Sequence, residues 1–195
     1  DNDWIGPAVV SGLAVAVISF FQPSFLTPFN IFVLLSAIAV NMLVALGQLV
    51  IIGIGQMNLA LGSIGGLVAI SFAAMMELWG FPPVLAFACG LGIGVVAGMA
   101  SGFVIAKTGI TAFIITLATL SICRGLALEL SIGHTTMRGM PDAIATIGGA
   151  STLGIPNSFF VVFAVAGLVL LMAKAMVWGR WIYAVGGEPQ AALQM

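Results

Sequence analysis

Charged side chains are scarce in this sequence, with five Lys and Arg and six Asp and Glu among 195 residues. They make up 6% of the chain, whereas a soluble globular domain has about 25%. The formal net charge is −1, and no basic cluster is present to meet nucleic-acid phosphates. The composition therefore excludes a soluble globular domain and gives no indication of a nucleic-acid partner.

Metal-binding and nucleophilic side chains are also few. The sequence has one histidine, His134, and two cysteines, Cys89 and Cys123, that lie in separate apolar runs without a CxxC pair. We interpret the cysteines as packing residues and expect no metal site. The scattered acids and the single histidine form no nucleophile and base set, and no GxxxxGK[ST] phosphate loop is present. The sequence thus predicts a chain that is not an enzyme and holds no cofactor of its own.

Long apolar runs dominate what remains. Hydrophobic residues make up 62% of the chain, and its mean hydropathy is +1.25. A transmembrane helix needs about 17–25 mostly apolar residues. Six runs near that length, separated by turns rich in proline, glycine or charge, cover residues 5–21, 31–54, 59–76, 84–106, 110–130 and 158–177. The sequence therefore predicts an all-α fold, a polytopic transmembrane bundle of about six spans that forms one domain over residues 1–195.

A polar break separates the second and third predicted spans at residues 53–58. Its backbone groups would be costly in lipid, so the break must be buried in protein, face a cavity or reach water. Gln56 and Asn58 lie in the break, and Asn41 and Gln48 share one face of the preceding helix. These amides are candidates either for interhelical hydrogen bonds or for a hydrated path, since an amide offers donors and acceptors to a polyhydroxyl solute.

Four glycines recur at every fourth position of the fourth predicted span: Gly90, Gly94, Gly98 and Gly102. On a helix this spacing makes a ridge without side chains, which another helix can approach closely. We favour packing within one subunit over a dimer seam.

The last seventeen residues turn polar after an apolar run. Gly186 and Gly187 predict a flexible turn, and Pro189 suits the first turn of a following short helix. Glu188 would then lie at the helix start, where a negative charge is favourable. The end of the chain is therefore predicted to be a short helix that leaves the membrane.

Three segments resemble the membrane permeases of bacterial sugar-uptake ABC importers, within the branched-chain amino acid and monosaccharide permease superfamily. The first is similar to the family's cytoplasmic coupling loop and reads Gly179-Arg180-x-x-Tyr183-Ala184-x-Gly186-Gly187-x-x-x-Ala191-Ala192. The second, residues 55–63, is similar to Gly-Gly-Ile-Asp-Leu-Ser-Val-Gly-Ser, with Asn58 for the acid and Ala60 for the serine. The third, residues 111–127, resembles the run Pro-Ser-Phe-Ile-x-Thr-Leu-Gly-Thr-Met followed by Arg-Gly.

This resemblance implies a permease for a monosaccharide of the ribose or xylose type, with a branched-chain amino acid, another small polar solute or a secondary transporter as alternatives. It further implies two permease subunits, two cytoplasmic ATPases that bind ATP and Mg²⁺, and a periplasmic sugar-binding protein. The implied ATPase contact residues are Gly179, Arg180, Tyr183, Gly186, Gly187, Glu188, Ala191 and Ala192. Permeases of the family have further spans, so the chain is expected to be the amino-terminal part of a longer protein.

The few basic residues predict the orientation in the bacterial inner membrane. Lys107, Lys174 and Arg180 follow or end the fourth and sixth spans, whereas the loops on the opposite face hold only Arg138. By the positive-inside rule, the amino terminus and residues 179–195 are expected to be cytoplasmic and residues 131–157 to form a periplasmic loop.

Overall fold

A computed structural model describes residues 5–131, 148–152 and 154–187. Within these ranges seven α-helices account for nearly all of the chain, and a 3₁₀ turn over Pro23–Leu26 joins the first two. The helices are α1 (Ile5–Phe21), α2 (Pro28–Gly53), α3 (Leu61–Glu77), α4 (Pro83–Thr108), α5 (Ala112–Ser131), α6 (Asn157–Ala175) and α7 (Val177–Gly187). The predicted all-α polytopic bundle is confirmed.

Each of the six predicted spans corresponds to one of the helices α1 to α6. Four of them, α2, α4, α5 and α6, are long and apolar enough to cross a membrane. The other two, α1 and α3, have 17 residues each, which is the lower limit for a span. The protein is therefore embedded in the membrane.

The largest helix cluster is formed by α3, α4 and α5, since α3 packs against both neighbours. Its core consists of buried Leu67, Cys123 and Ala127, with partly buried side chains around them: Ile64, Ile70, Ile93, Ala97 and Leu130. Small buried residues of α3, such as Ser71 and Ala73, keep the backbones close. Small residues are the usual contact between helices in lipid, where apolar burial supplies little driving force.

A second cluster consists of α2 and α6, with α7 packed against both. Val162 of α6 is fully buried in it. Before α6 a short hairpin pairs β1 (Ser151–Thr152) with β2 (Ile155–Pro156), and β2 packs against α2. Strands of two residues are too short to show an alternating pattern, so the sequence did not predict them. They lie in the segment predicted as the loop 131–157, of which residues 132–147 and 153 are outside the described ranges.

Candidate solute pathway and coupling helix

The polar break between α2 and α3 is an ordered turn. Gly55 has a φ of +74°, in the left-handed region that glycine adopts without steric cost. The N–H groups of Gly55 and Gln56 donate to the carbonyls of Ile52 and Ile51, at 2.8 and 3.2 Å. The carbonyls of Ile51 and Ile52, in the last helical turn, thus have partners within the protein, as a helix end near lipid requires.

Gln48 of α2 forms two hydrogen bonds with this turn. In the amide orientation that satisfies both partners, its side chain donates to the carbonyl oxygen of Asn58 at 3.0 Å and accepts from the Asn58 N–H at 3.2 Å. The Asn58 side-chain oxygen in turn accepts from the N–H of Ala60 at 2.7 Å, just before α3 begins. Gln48 thus bonds the backbone of the break and not another helix, and its part in a hydrated path stays a prediction.

A cavity of about 340 Å³ lies beside the break, where α2 and α4 end and α5 begins. Its volume falls within the range of about 300–1,000 Å³ that is usual for small-molecule sites. The polar side chains on its wall belong to Gln56, Asn58, Ser101 and Thr116. The rest of the wall is apolar or glycine: Ile51, Ile54, Met57, Gly98, Gly102, Ile105, Ala106 and Ala112.

Of the four amides predicted from the sequence, the structure brings three together. Gln56 and Asn58 line the cavity, and Gln48 is bonded to Asn58. Asn41 does not line the cavity. Its side chain is exposed, and its amide donates to the Ala37 carbonyl of its own helix at 2.9 Å. A path that includes Asn41 stays a prediction.

Sequence reasoning missed the two hydroxyl residues of the cavity. Ser101 donates to carbonyls of its own helix at 3.0 and 3.1 Å, and Thr116 donates to the Phe113 carbonyl at 3.2 Å. Such bonds are common for hydroxyls in apolar helices, so neither residue differs from its neighbours in the sequence. In the sequence, only the position of Ser101 next to Gly102 of the glycine ridge could have indicated that it lines a cavity.

The glycine ridge of α4 has two different surroundings. A Cβ at Gly90 would lie 3.6 Å from Val68 Cγ1, and a Cβ at Gly94 would lie 3.2 Å from Val68 Cγ2, so this half packs against α3. At Gly98 and Gly102 no heavy atom of the described residues would lie within 4 Å of an added Cβ. Within the described part of this chain no helix packs on these two glycines, which line the cavity. A contact there with a second subunit stays a prediction.

The reason lies in where α3 begins. Ile64 lies opposite Gly94 at the limit of contact, 4.0 Å from the position of an added Cβ. Since α3 starts at Leu61, only one further turn of helix is available beyond Ile64. Beyond the start of α3, Gly98 and Gly102 of the ridge therefore face the cavity beside the break.

The flexible turn predicted at Gly186 and Gly187 is wrong, since both residues belong to helix α7. Gly186 is instead a contact point, because an added Cβ would overlap the carbonyl oxygen of Gly53 at the end of α2. One turn earlier, Ile182 reaches the same place, and its Cγ2 lies 2.8 Å from the position of a Cβ on Gly53. The glycine is required by close packing of two backbones.

The other predicted coupling residues occupy different faces of α7. Gly179 is buried, and an added Cβ would overlap the carbonyl oxygens of Met172 and Ala173, so α7 can fold back sharply onto α6. Arg180 and Tyr183, about one turn apart, are exposed. Three further predicted contacts lie outside the described residues: Glu188, Ala191 and Ala192.

The structure thus shows a membrane-embedded helical bundle with the short helix α7 packed against α2 and α6. The chain belongs to the family described as branched-chain amino acid transport system / permease component, whose sequence profile matches residues 30–195. No solved structure matches the chain.

Relatives among curated proteins include several sugar permeases. The chain is 34% identical to a ribose import permease protein of Haemophilus influenzae over 189 residues, which are 94% of this chain and 57% of the relative. It is 38% identical to a ribose import permease protein of Bacillus subtilis, over 97% of this chain and 59% of the relative. An L-arabinose ABC transporter permease protein of Azospirillum brasilense is 32% identical, over 96% and 55%. The resemblance to sugar permeases is confirmed, and the chain spans little more than half the length of these relatives.

Proposed function

We propose that this chain is the membrane-spanning permease, or the amino-terminal part of it, of an ATP-driven importer that moves a monosaccharide across the bacterial inner membrane. The observation that carries the proposal is the cavity beside the α2–α3 break, whose lining includes the amide residues Gln56 and Asn58 and the hydroxyl residues Ser101 and Thr116. Amides and hydroxyls both donate and accept, which matches the hydroxyl groups of a sugar.

The cavity lining favours a solute without charged groups over a zwitterionic amino acid. Among the described residues, none that lines this cavity is ionisable, whereas a zwitterionic amino acid calls for charged or strongly polar partners for its carboxylate and ammonium groups. The same observation weighs against a proton-coupled secondary transporter, since such proteins carry ionisable residues along their paths. Neutral groups also hold a sugar weakly enough for release.

The orientation follows from the residues that share one end of the bundle. Lys107 is in the last turn of α4, and Lys174 is in the last turn of α6. Trp178 and Trp181 of α7, the helix that follows α6, are 65% and 58% exposed. Cationic residues favour the cytoplasmic side, and tryptophans favour the membrane interface. We assign this end, with its cavity and α7, to the cytoplasm.

The partners follow from the same assignment. The exposed Arg180 and Tyr183 would contact a cytoplasmic ATPase, which binds ATP and Mg²⁺, so the chain would have no catalytic activity of its own. A second permease subunit would complete the transmembrane pathway, and a periplasmic binding protein would deliver the sugar. Helices with this many exposed apolar side chains suit contact with lipid and with a second subunit.

The test is transport by the assembled importer. The complete permease is purified with the ATPase and binding protein encoded by neighbouring genes and reconstituted into liposomes. We expect ATP-dependent uptake of D-ribose, L-arabinose or D-fructose and no uptake of L-leucine. Uptake of leucine alone, or sugar uptake that needs no ATP, would contradict the proposal.

A further inference from the structure

A second space in the structure is an apolar groove of about 760 Å³ between α4 and α5. It runs from Cys89 and Leu126 at one end to Val104 and Ile115 at the other. At a rise of 1.5 Å per residue, it follows α4 for about 22 Å. The groove and the solute cavity share Ser101 on their walls. No described residue on the groove wall is charged, so the groove differs from the solute cavity in what it can hold.

The hydroxyl groups on the groove wall already donate to backbone carbonyls. Ser101 donates to carbonyls of its own helix at 3.0 and 3.1 Å, and Thr119 donates to the Ile115 carbonyl at 2.9 Å. The rest of the described wall is apolar or glycine, apart from the weakly polar thiol of Cys89. A polar solute would lose its hydrogen bonds to water there with little in return. The groove therefore suits an apolar occupant.

The groove is also deep and narrow. Its wall includes Met75 of α3 and Ser101, which are only 8% and 6% exposed, so it reaches down to the cluster of α3, α4 and α5. The helices α4 and α5 contact each other, and the axes of packed helices lie about 8–10 Å apart. Another helix, about 10–12 Å across with its side chains, would lie over such a groove and not enter it. A lipid tail is thin enough to reach Met75 and Ser101.

The two ends of the groove carry opposite charges. Lys107 is exposed in the last turn of α4, one turn beyond Val104. Its Nζ lies 5.9 Å from the centre of the Phe103 ring, so the side chain stays along α4. At the other end, the exposed acids Glu77 and Glu129 follow wall residues by two and three positions. An anionic headgroup is therefore attracted to the Lys107 end and repelled from the opposite end.

We propose that the groove between α4 and α5 binds one tail of an anionic phospholipid, with the phosphate of the headgroup at Lys107. The groove is long enough for this, since the hydrocarbon of one leaflet is about 15 Å thick, half of the bilayer core. The apolar wall holds the tail, and Lys107 selects the anionic headgroup. This inference goes beyond the proposed function, because it does not depend on which solute the permease moves.

Two neighbouring residues of α4 provide matched reporter positions. Val96 lines the groove and is 67% exposed, whereas Val95 does not line it and is 58% exposed. Val96→Cys and Val95→Cys are made singly in a complete permease that lacks Cys89 and Cys123, and each is labelled with a bimane fluorophore. The protein is reconstituted into phosphatidylcholine vesicles. Increasing shares of phosphatidylglycerol or phosphatidylcholine with a nitroxide quencher in the middle of one tail are then included.

We expect nitroxide phosphatidylglycerol to quench the Val96→Cys label at about one-fifth of the share that nitroxide phosphatidylcholine needs, the usual effect of one lysine on an anionic lipid. The Val95→Cys label should be quenched equally by both lipids. Lys107→Gln should abolish the preference at Val96→Cys, and Lys107→Arg should keep it. The control is Lys174→Gln, which removes another exposed lysine from the last turn of a helix and should leave the preference unchanged.

Several results would overturn the lipid site. One is equal quenching of the Val96→Cys label by the two lipids. Another is a preference that survives Lys107→Gln, or that Lys174→Gln abolishes as well, because the headgroup would then not be held at Lys107. A third is quenching of the Val95→Cys label while neither lipid quenches the Val96→Cys label, since a protein segment such as a helix of a second subunit would then cover the groove.

Discussion

The side-chain amide of Gln48 holds the backbone of Asn58 at both its carbonyl and its N–H, at 3.0 and 3.2 Å. This pair clamps the start of α3 to the last turns of α2 across the turn at Gly55. The Asn58 side chain remains directed to the Ala60 N–H, so a single asparagine both closes the break and lines the cavity. Gln48 thus holds in place a segment of the cavity wall, and Asn58 is part of that wall.

Replacement of Gln48 by leucine should destabilise the protein. Gln48→Leu leaves a part-buried carbonyl and N–H of Asn58 without their partner, and a polar group left unpaired in this way costs about 1–3 kcal/mol. We expect a lower midpoint of thermal unfolding for the complete permease in detergent. The matched control is Asn41→Leu, since the exposed Asn41 amide bonds only its own helix. Equal midpoints for the two variants would show that the Gln48 clamp contributes nothing.

The two halves of the glycine ridge should respond differently to the same substitution. Gly94→Leu places a side chain against Val68, whose Cγ2 lies 3.2 Å from the position of the Cβ, and overpacking of this kind costs about 1–3 kcal/mol. Gly98→Leu meets no described heavy atom within 4 Å but projects into the cavity. We therefore expect Gly94→Leu to lower thermal stability and Gly98→Leu to lower sugar uptake at nearly unchanged stability.

Both quantities are measured on both variants of the complete permease. Normal uptake by Gly98→Leu would exclude the cavity from the solute path. Normal stability of Gly94→Leu would mean that α3 and α4 separate readily at Val68.

The hydroxyl of Thr116 should matter for transport more than for folding. Thr116 lines the cavity, and Thr116→Val keeps the shape of its side chain while removing its hydroxyl. Loss of one hydrogen bond to the sugar, about 0.5–1.5 kcal/mol, should lower the uptake rate by about two- to tenfold if the bond forms in the rate-limiting step.

Thr119→Val is the control for that substitution. Thr119 also donates to a carbonyl of its own helix, that of Ile115 at 2.9 Å, but it faces a separate apolar groove between α4 and α5. Both variants lose the same kind of intrahelical bond. Equal uptake by the two would remove Thr116 from the path.

The spans could be predicted from the sequence because helix length in a membrane is fixed by the thickness of the bilayer. The second span was predicted from residue 31, whereas α2 begins at Pro28, since proline suits the first turn of a helix and does not interrupt it. The polar break was predicted for the same reason as the spans, because its composition contradicts the apolar runs on either side.

The cavity and the role of Gly186 could not be predicted from the sequence. Ser101 and Thr116 come from different helices, and only the packing of α4 beside α5 brings them together with Asn58. The glycine pair at residues 186 and 187 fits a turn as well as a close contact, and only the position of Gly53 distinguishes the two. Such features depend on which backbone lies opposite, and a single sequence does not contain that information.

Thiol labelling of the cavity wall tests the central claim most directly. Gln56→Cys and Asn58→Cys are made singly in a complete permease that lacks Cys89 and Cys123, assembled with its ATPase. A membrane-impermeant thiol reagent is added from either side of the membrane, in each nucleotide state, with and without the transported sugar. We predict labelling from the cytoplasmic side in at least one nucleotide state, slowed by the monosaccharide and not by leucine. If neither cysteine is labelled from either side in any state, or if the sugar leaves the labelling rate unchanged, the cavity beside the α2–α3 break is not the solute path.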